Sequence, residues 1–398
     1  MNLSDNKISR RELIKLAGLA GLATVAGRVP GWAAEPGEAA PLPQVPRRVL
    51  GKTGEKIPIL LMGMAMKFDP RFDPRLAEAL RFGVNYYDAA DCYAGGTSES
   101  ALGNFIQRTG KRKDIWITTK SDDHTPQGMV KVLETSLERL QTDHVELFFL
   151  HALVQKKFLN DEMRDAVEKL KQAGKIKYFG FSCHNNTVAE LLQTAAGLGW
   201  IDAIMFKYNF REYGNRELNT AMDACHKANI GLIAMKTQGS AASFEEQVKK
   251  FEGSQFTKHQ AVLKAVWADE RIAAAVSHMD TMEKLKENIA AALDRRELTA
   301  ADRQVLDAYA AATKCGYCAG CDHICGAALP PEIRVADTLR LLTYHDAYGD
   351  PFKARELFVR LPAAARQWEA VDFSRAATLC PNHVDLPRLM DRARRVLA

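Results

Sequence analysis

Val145-Glu146-Leu147-Phe148-Phe149-Leu150-His151 is the stretch from which the fold can be read. Its apolar residues fall on both parities, so neither face of a strand here can be left to water. A strand buried on both faces belongs to a parallel sheet covered by helices. The flanking segments agree, because Gly128–Leu140 before it and Asp161–Ala173 after it carry apolar residues at helical spacing. Further out, β-rich runs at Ile59–Gly63, Val84–Asp88, Ile115–Lys120, Ile176–Ser182, Ala203–Tyr208, Gly231–Lys236 and Ile272–Ser277 alternate with helical patterns such as Arg216–Ala228. Eight strand–helix units in roughly 240 residues predict an α/β protein built on a (β/α)8 barrel. A doubly wound sheet is the alternative, but no Gly-x-Gly-x-x-Gly follows the first strand.

The barrel does not account for the whole chain of 398 residues. At the front, Ser9-Arg10-Arg11-Glu12-Leu13-Ile14-Lys15 precedes an Ala- and Gly-rich apolar stretch ending near Ala33-Ala34. That is the pattern of an export signal, and the paired arginines point to the twin-arginine route. The expected organisation is a signal at 1–34, a Pro- and Ala-rich linker at 35–46, the barrel at 47–313 and an iron–sulfur module at 314–398. The net charge is +5, much of it in the signal, so no electrostatic argument for nucleic acid exists. The expected location is the periplasm, with an uncleaved signal acting as an anchor as the alternative.

A (β/α)8 barrel places functional side chains at the C-terminal ends of its strands. Three strands end in ionisable groups there: Asp88, Lys120 and His151, with Tyr93 in the loop just beyond the first of them. Their chemistry is coherent. An ammonium beside a phenol favours the phenolate, and a carboxylate beside the ammonium keeps it charged and aimed. An imidazole can hold a carbonyl oxygen near the phenol. Together they form a device for protonating a carbonyl oxygen while hydride reaches carbon.

These residues resemble the aldo-keto reductase superfamily over roughly residues 47–293. Arg48-Val-Leu-Gly-Lys-Thr-Gly54 resembles the opening hairpin of many members, and Asp88-Ala-Ala-Asp-Cys-Tyr93 with Gly96-Thr-Ser-Glu99 resembles a family signature. The resemblance implies Tyr93 as general acid, Lys120 as its tuner, Asp88 as the partner of Lys120 and His151 as the group that orients the carbonyl. It implies hydride from NADP or NAD. Ser182 in Gly180-Phe-Ser-Cys-His184 matches a carboxamide-binding serine, with Cys183 where the family has asparagine. Met205 stands at a family glutamine and Met235 at the stacking aromatic, followed by Lys236. His278 and Met279 occupy positions near the 2′-phosphate, Lys284 replaces an arginine there, and Glu287 and Asn288 match positions near adenine.

Five of the eight cysteines lie in the last 84 residues. Cys315, Cys318, Cys321 and Cys325 have the spacing C-x2-C-x2-C-x3-C, which wraps a cubane iron–sulfur cluster. A tetrahedral zinc site more often uses two separated pairs. In two-cluster ferredoxins the fourth cysteine of such a run, followed by proline, serves the other cluster. Here Cys325 precedes Gly326, whereas Cys380 precedes Pro381. The expected ligands of one [4Fe-4S] cluster are therefore Cys315, Cys318, Cys321 and Cys380, with Cys325 left over. The rival set takes Cys325 in place of Cys380. The whole resembles the aldo-keto reductase subgroup with a mainly helical, ferredoxin-like C-terminal domain. Cys92, Cys183 and Cys225 read as buried small residues.

The function expected is exported reduction of aldehydes or ketones, with the cluster structural or serving a redox partner protein. Folded export through the twin-arginine machinery suits a cluster that must be inserted in a reducing compartment. The alternative is an electron-transfer or partner-binding iron–sulfur protein in which the barrel is a scaffold.

Overall fold

The computed structural model describes residues 42–238, 255–346 and 348–398; the export signal expected at 1–34 lies outside them. Eight parallel strands close a barrel: β3 (Leu60–Gly63), β4 (Tyr86–Asp88), β5 (Trp116–Ser121), β6 (Val145–Leu150), β7 (Ile176–Cys183), β8 (Ala203–Lys207), β9 (Gly231–Met235) and β10 (Ile272–His278), with β10 pairing back onto β3. Helices α1 (Pro74–Arg81), α2 (Thr97–Thr109), α3 (Pro126–Leu140), α4 (Asp161–Gln172), α5 (Val188–Leu198), α6 (Arg216–Lys227), α7 (Lys258–Trp267) and α8 (Met282–Leu293) follow these strands in turn.

Every residue of β6 is buried. Leu147 and Phe149 fill the barrel interior with Leu61, Tyr86, Met205 and Ile233. Phe148 and Leu150 face outward onto the helices, in the same core as Leu133, Leu137, Val167 and Leu170. The two parities thus serve two cores, which is why the strand could not alternate. Helix starts are set by local chemistry. Thr125 caps α3 through Gly128 N–H with Pro126 in the first turn, and Asn160 caps α4 through Met163 N–H. A close approach explains one glycine: a Cβ on Gly180 would collide with the Ala203 carbonyl oxygen on the neighbouring strand.

A short hairpin, β1 (Arg47–Val49) and β2 (Lys56–Pro58), precedes the barrel. Its Leu50 and Ile57 are fully buried in the interior cluster. Gly51 lies against the Asn229–Gly231 backbone where β9 begins, so the hairpin stoppers the N-terminal end.

After α9 (Ala300–Ala312) the chain is helical: α10 (Asp322–Cys325), α11 (Val335–Asp346), α12 (Pro351–Val359), α13 (Ser374–Leu379) and α14 (Leu386–Leu397). This segment has a core of its own, made by residues such as Leu339, Leu342, Phe358, Trp368, Leu389 and Met390.

Candidate active site and cysteine cavity

Asp88 ends β4, Lys120 lies one residue from the end of β5, and His151 directly follows β6. Tyr93 reaches the same mouth from a turn in which Ala94, Gly95 and Gly96 all take left-handed backbone conformations, with φ of 49°, 65° and 87°. Glu99 explains how this turn is anchored. It is fully buried, receives the Thr119 hydroxyl of β5 at 2.5 Å, and pairs with Arg139 of α3 at 3.3 Å.

The Lys120 ammonium is buried between three groups. It pairs with Asp88 at 2.9 Å, donates to the Ala89 carbonyl at 2.5 Å and stands 3.5 Å from the Tyr93 hydroxyl. Burial pushes the Asp88 carboxyl upward, against the pull of Lys120. Burial, with the Asp88 charge behind it, also pushes the Tyr93 phenol well above its ordinary value. This differs from the expectation that Lys120 lowers it. The ammonium is neutralised by Asp88 and sits at the far edge of hydrogen-bond reach, so desolvation wins. Tyr93 therefore holds its proton at neutral pH.

His151 meets the Tyr93 ring edge-on, with centroids 5.5 Å apart. Its Nδ1 lies 2.7 Å from Asp122 Oδ1 and 3.5 Å from Cys92 Sγ. Burial lowers the imidazole, while the Asp122 hydrogen bond opposes that. Burial, the largest single influence, would raise Asp122, but its bonds to His151 and Cys92 and the nearby imidazoles together outweigh this and the carboxyl ends below its ordinary value. An ionised carboxylate on Nδ1 keeps a proton there, so Nε2 is an acceptor in the neutral ring and donates to a carbonyl oxygen only when the ring is charged. Sequence reasoning missed Asp122, although it stands two residues after Lys120. It also read Cys92 as a plain buried residue, whereas Cys92 is half-buried against the catalytic ring. Cys183 and Cys225 are buried as expected.

The residues matched to cofactor positions divide into groups. Ser182 is buried and its hydroxyl accepts from Ala152 N–H at 2.9 Å. Met205 belongs to the barrel interior, and Met235 packs against that cluster. Lys236 follows β9 in a left-handed conformation (φ 59°) and its ammonium lies 2.5 Å from the Tyr344 hydroxyl of α11. His278 is stacked by Tyr348 at 5.9 Å. On α8, Lys284 pairs with Asp280 at 2.6 Å, Glu287 receives Thr257 at 2.6 Å, and buried Asn288 bonds Gln238 and Ser277. The C-terminal helices thus reach across the barrel mouth. Their Tyr344, Tyr348, Arg340 and Lys353 are site residues that strand-end logic could not find, since they follow the barrel in the chain.

A second, smaller cavity lies within the C-terminal segment. Cys318, Cys321, Cys325 and Cys380 all line it, with Val335, Val384 and Leu386 completing an apolar wall. Cys315 is exposed and is not in that lining. The structure therefore brings together three of the four expected ligands, and adds Cys325 to them. Among the described residues these four sulfurs do not form a set within 4.8 Å of one another, the closeness one shared ion would need.

Residues 67–311 match the aldo/keto reductase family. The chain is 28% identical over 214 residues to an aldo-keto reductase of Schizosaccharomyces pombe, yakc, named with NADP(+), covering 49% of this chain and 62% of that protein. An uncharacterised oxidoreductase of Bacillus subtilis, YqkF, is 27% identical over 258 residues, covering 56% of this chain and 82% of that one. Among solved structures, the holo form of aldo-keto reductase AKR11C1 from Bacillus halodurans superposes with a TM-score of 0.56 at 24% identity, covering 67% of this chain and 96% of that chain. The chain, whose eight parallel strands close a barrel, belongs to the aldo/keto reductase family, a family of oxidoreductases.

Proposed function

We propose that the protein reduces an aldehyde or ketone with a reduced nicotinamide dinucleotide, NADPH in the first instance, and that it is exported folded by the twin-arginine route carrying one [4Fe-4S] cluster. The observation that carries the reductase reading is the convergence of Asp88, Lys120, Tyr93 and His151 on one face of the barrel. Tyr93, kept protonated by burial, donates its proton to the carbonyl oxygen. Lys120, fixed by Asp88 and the Ala89 carbonyl, faces the phenolate that this leaves and stabilises it. The NADP(+) in the name of the fission-yeast relative supports the choice of cofactor.

The mouth suits one phosphoryl group of a polyanionic dinucleotide, because Lys207, Lys236 and Arg340 line one cavity there. Ser182, Met235, Lys236, His278, Lys284, Glu287 and Asn288 would hold the dinucleotide, and when bound it supplies hydride to the carbonyl carbon. Met205, buried in the barrel interior, takes no direct part. The cysteine cavity suits a cluster for a different reason. Four thiols surround one apolar space, and thiolates are the ligands of iron–sulfur cubanes. Cys318, Cys321 and Cys380 would hold it with Cys325, or with Cys315 after a local shift. The cluster adds one-electron chemistry, so it serves structure or a redox partner rather than hydride transfer.

The test is Tyr93→Phe. Turnover of a carbonyl substrate should fall by about 10²-fold or more, while NADPH binding by calorimetry persists. Unchanged turnover would remove Tyr93 from the chemistry.

A further inference from the structure

Lys207 and Lys236, at the ends of β8 and β9, face Arg340 and Tyr344 of α11 across a cavity of about 90 Å³, with His184 and Tyr348 completing it. Asp337 is the acidic residue in this lining and Arg340 already holds it at 3.0 Å, while Lys207 pairs with Glu212 at 3.4 Å, which leaves Lys236 and the free edge of Arg340 to meet an anion. The Tyr344 hydroxyl is seated on the cations, 2.5 Å from Lys236 Nζ and 3.4 Å from Arg340 Nη1. Lys353 stands between the two tyrosines, its Nζ 5.2 Å from the Tyr93 ring centre and 5.9 Å from that of Tyr344. The backbone is specialised to achieve this, since Lys236 takes a left-handed conformation that lysine ordinarily avoids.

We infer that this seam is an oxyanion site built jointly by barrel and C-terminal helices, in which Lys236 and Arg340 bind a carboxylate or phosphoryl group and the Tyr344 hydroxyl holds the place of that group when it is absent. The argument is one of charge. Cations facing a confined space cost free energy unless a counter-charge meets them. Here one phenol oxygen is shared by an ammonium and a guanidinium, which is how a bound carboxylate oxygen would be received. The surroundings reinforce the field, for burial and the neighbouring Arg340 and Lys236 hold His184 far below its ordinary value, as a neutral ring. Those cations also hold Tyr344 down to about 7, against the effect of its burial, so its oxygen already carries much of an anion's character. The cavity admits one such group, not a whole dinucleotide, and two sources share this chemistry: a carboxylate on the carbonyl substrate, or the diphosphate of the cofactor. The binding does not depend on the reductase reading, because it is measured without turnover.

The experiment is isothermal titration of the full-length, cluster-loaded protein with succinate and, separately, with pyrophosphate. Saturable binding of succinate assigns the site to an acidic substrate, and binding of pyrophosphate alone assigns it to the dinucleotide. Arg340→Gln should weaken whichever binds by about tenfold or more, and Arg340→Lys should recover part of it. Tyr344→Phe should strengthen it, since the seated phenol no longer competes. Opposite signs for two variants on one helix cannot arise from loss of folding. Binding of neither anion, or binding that Arg340→Gln leaves unchanged, overturns the inference. So does equal weakening in both variants.

Discussion

The Asp122–His151 pair shows how one side chain sets the role of another. The carboxylate fixes the imidazole proton on Nδ1 and favours the charged ring, opposing burial. Asp122→Asn removes that support, so the acid-limb pKa in kcat/KM should move down and kcat should fall on the order of tenfold, with KM less affected. A pH–rate profile identical to the parent would reduce Asp122 to a surface partner. Tyr344 shifts in the opposite direction to Tyr93 and Tyr348, which burial raises. Its phenol is held down to about 7 by Lys236, Arg340 and Lys353 against its own burial, so its contribution to stability grows as pH rises from there toward the free value of about 10 and is absent below it. The tyrosinate ultraviolet band should show one residue ionising near neutrality, and Tyr344→Phe should remove that step. It should also flatten the rise of stability with pH across the same interval. Of these residues, Asp88, Lys120, Tyr93 and His151 were legible because strand ends converge by geometry. Tyr344 and Arg340 were not, because nothing in a helical pattern states which strand ends it will cover.

At the scale of elements, β6 carried the most information and α11 the least. The apolar parities of Val145–Leu150 fix a doubly buried strand, and the strand runs matched the barrel to within a residue or two at most ends. Expected strand residues Ile59, Val84, Asn85, Ile115, His151, Tyr208 and Lys236 fall just outside; at Lys236 the left-handed turn ends β9, which propensity does not foretell. Helix α11 has two jobs: its Leu341 and Leu342 enter the C-terminal core, Arg340 lines the seam, and Leu339 and Tyr344 do both. Leu342→Ala should therefore cost about 2–5 kcal/mol in denaturant unfolding of that core. It should also loosen the hold on Lys236, read as a rise of the Tyr344 pKa. The cysteine cavity was half legible, since spacing names candidate ligands but not which thiol turns inward. Replacing Cys380 or Cys325 by alanine should bleach the visible cluster absorbance if the lining set is the ligand set, and Cys315→Ala should leave it. Bleaching by Cys315→Ala with retention in Cys325→Ala would restore the expected set of Cys315, Cys318, Cys321 and Cys380.

The whole molecule is a barrel joined to a helical segment that returns to its mouth. Lys353 of α12 donates to the Ala65 carbonyl at 2.6 Å, Asn186 lies 2.8 Å from His323 Nδ1, and Lys207 of β8 donates to the Ala319 carbonyl. Cys318 lines both the cysteine cavity and the seam cavity, so the two sites share a wall. The hairpin that stoppers the opposite end has a consequence for traffic. With Leu50 and Ile57 filling the floor, a molecule bound at the mouth has no way through the barrel interior among the described residues, and comes and goes on the side that α11 borders. Traffic on that side passes Tyr344, Tyr348 and Lys353, so the dwell time of whatever binds depends on their contacts as well as on the chemistry below them.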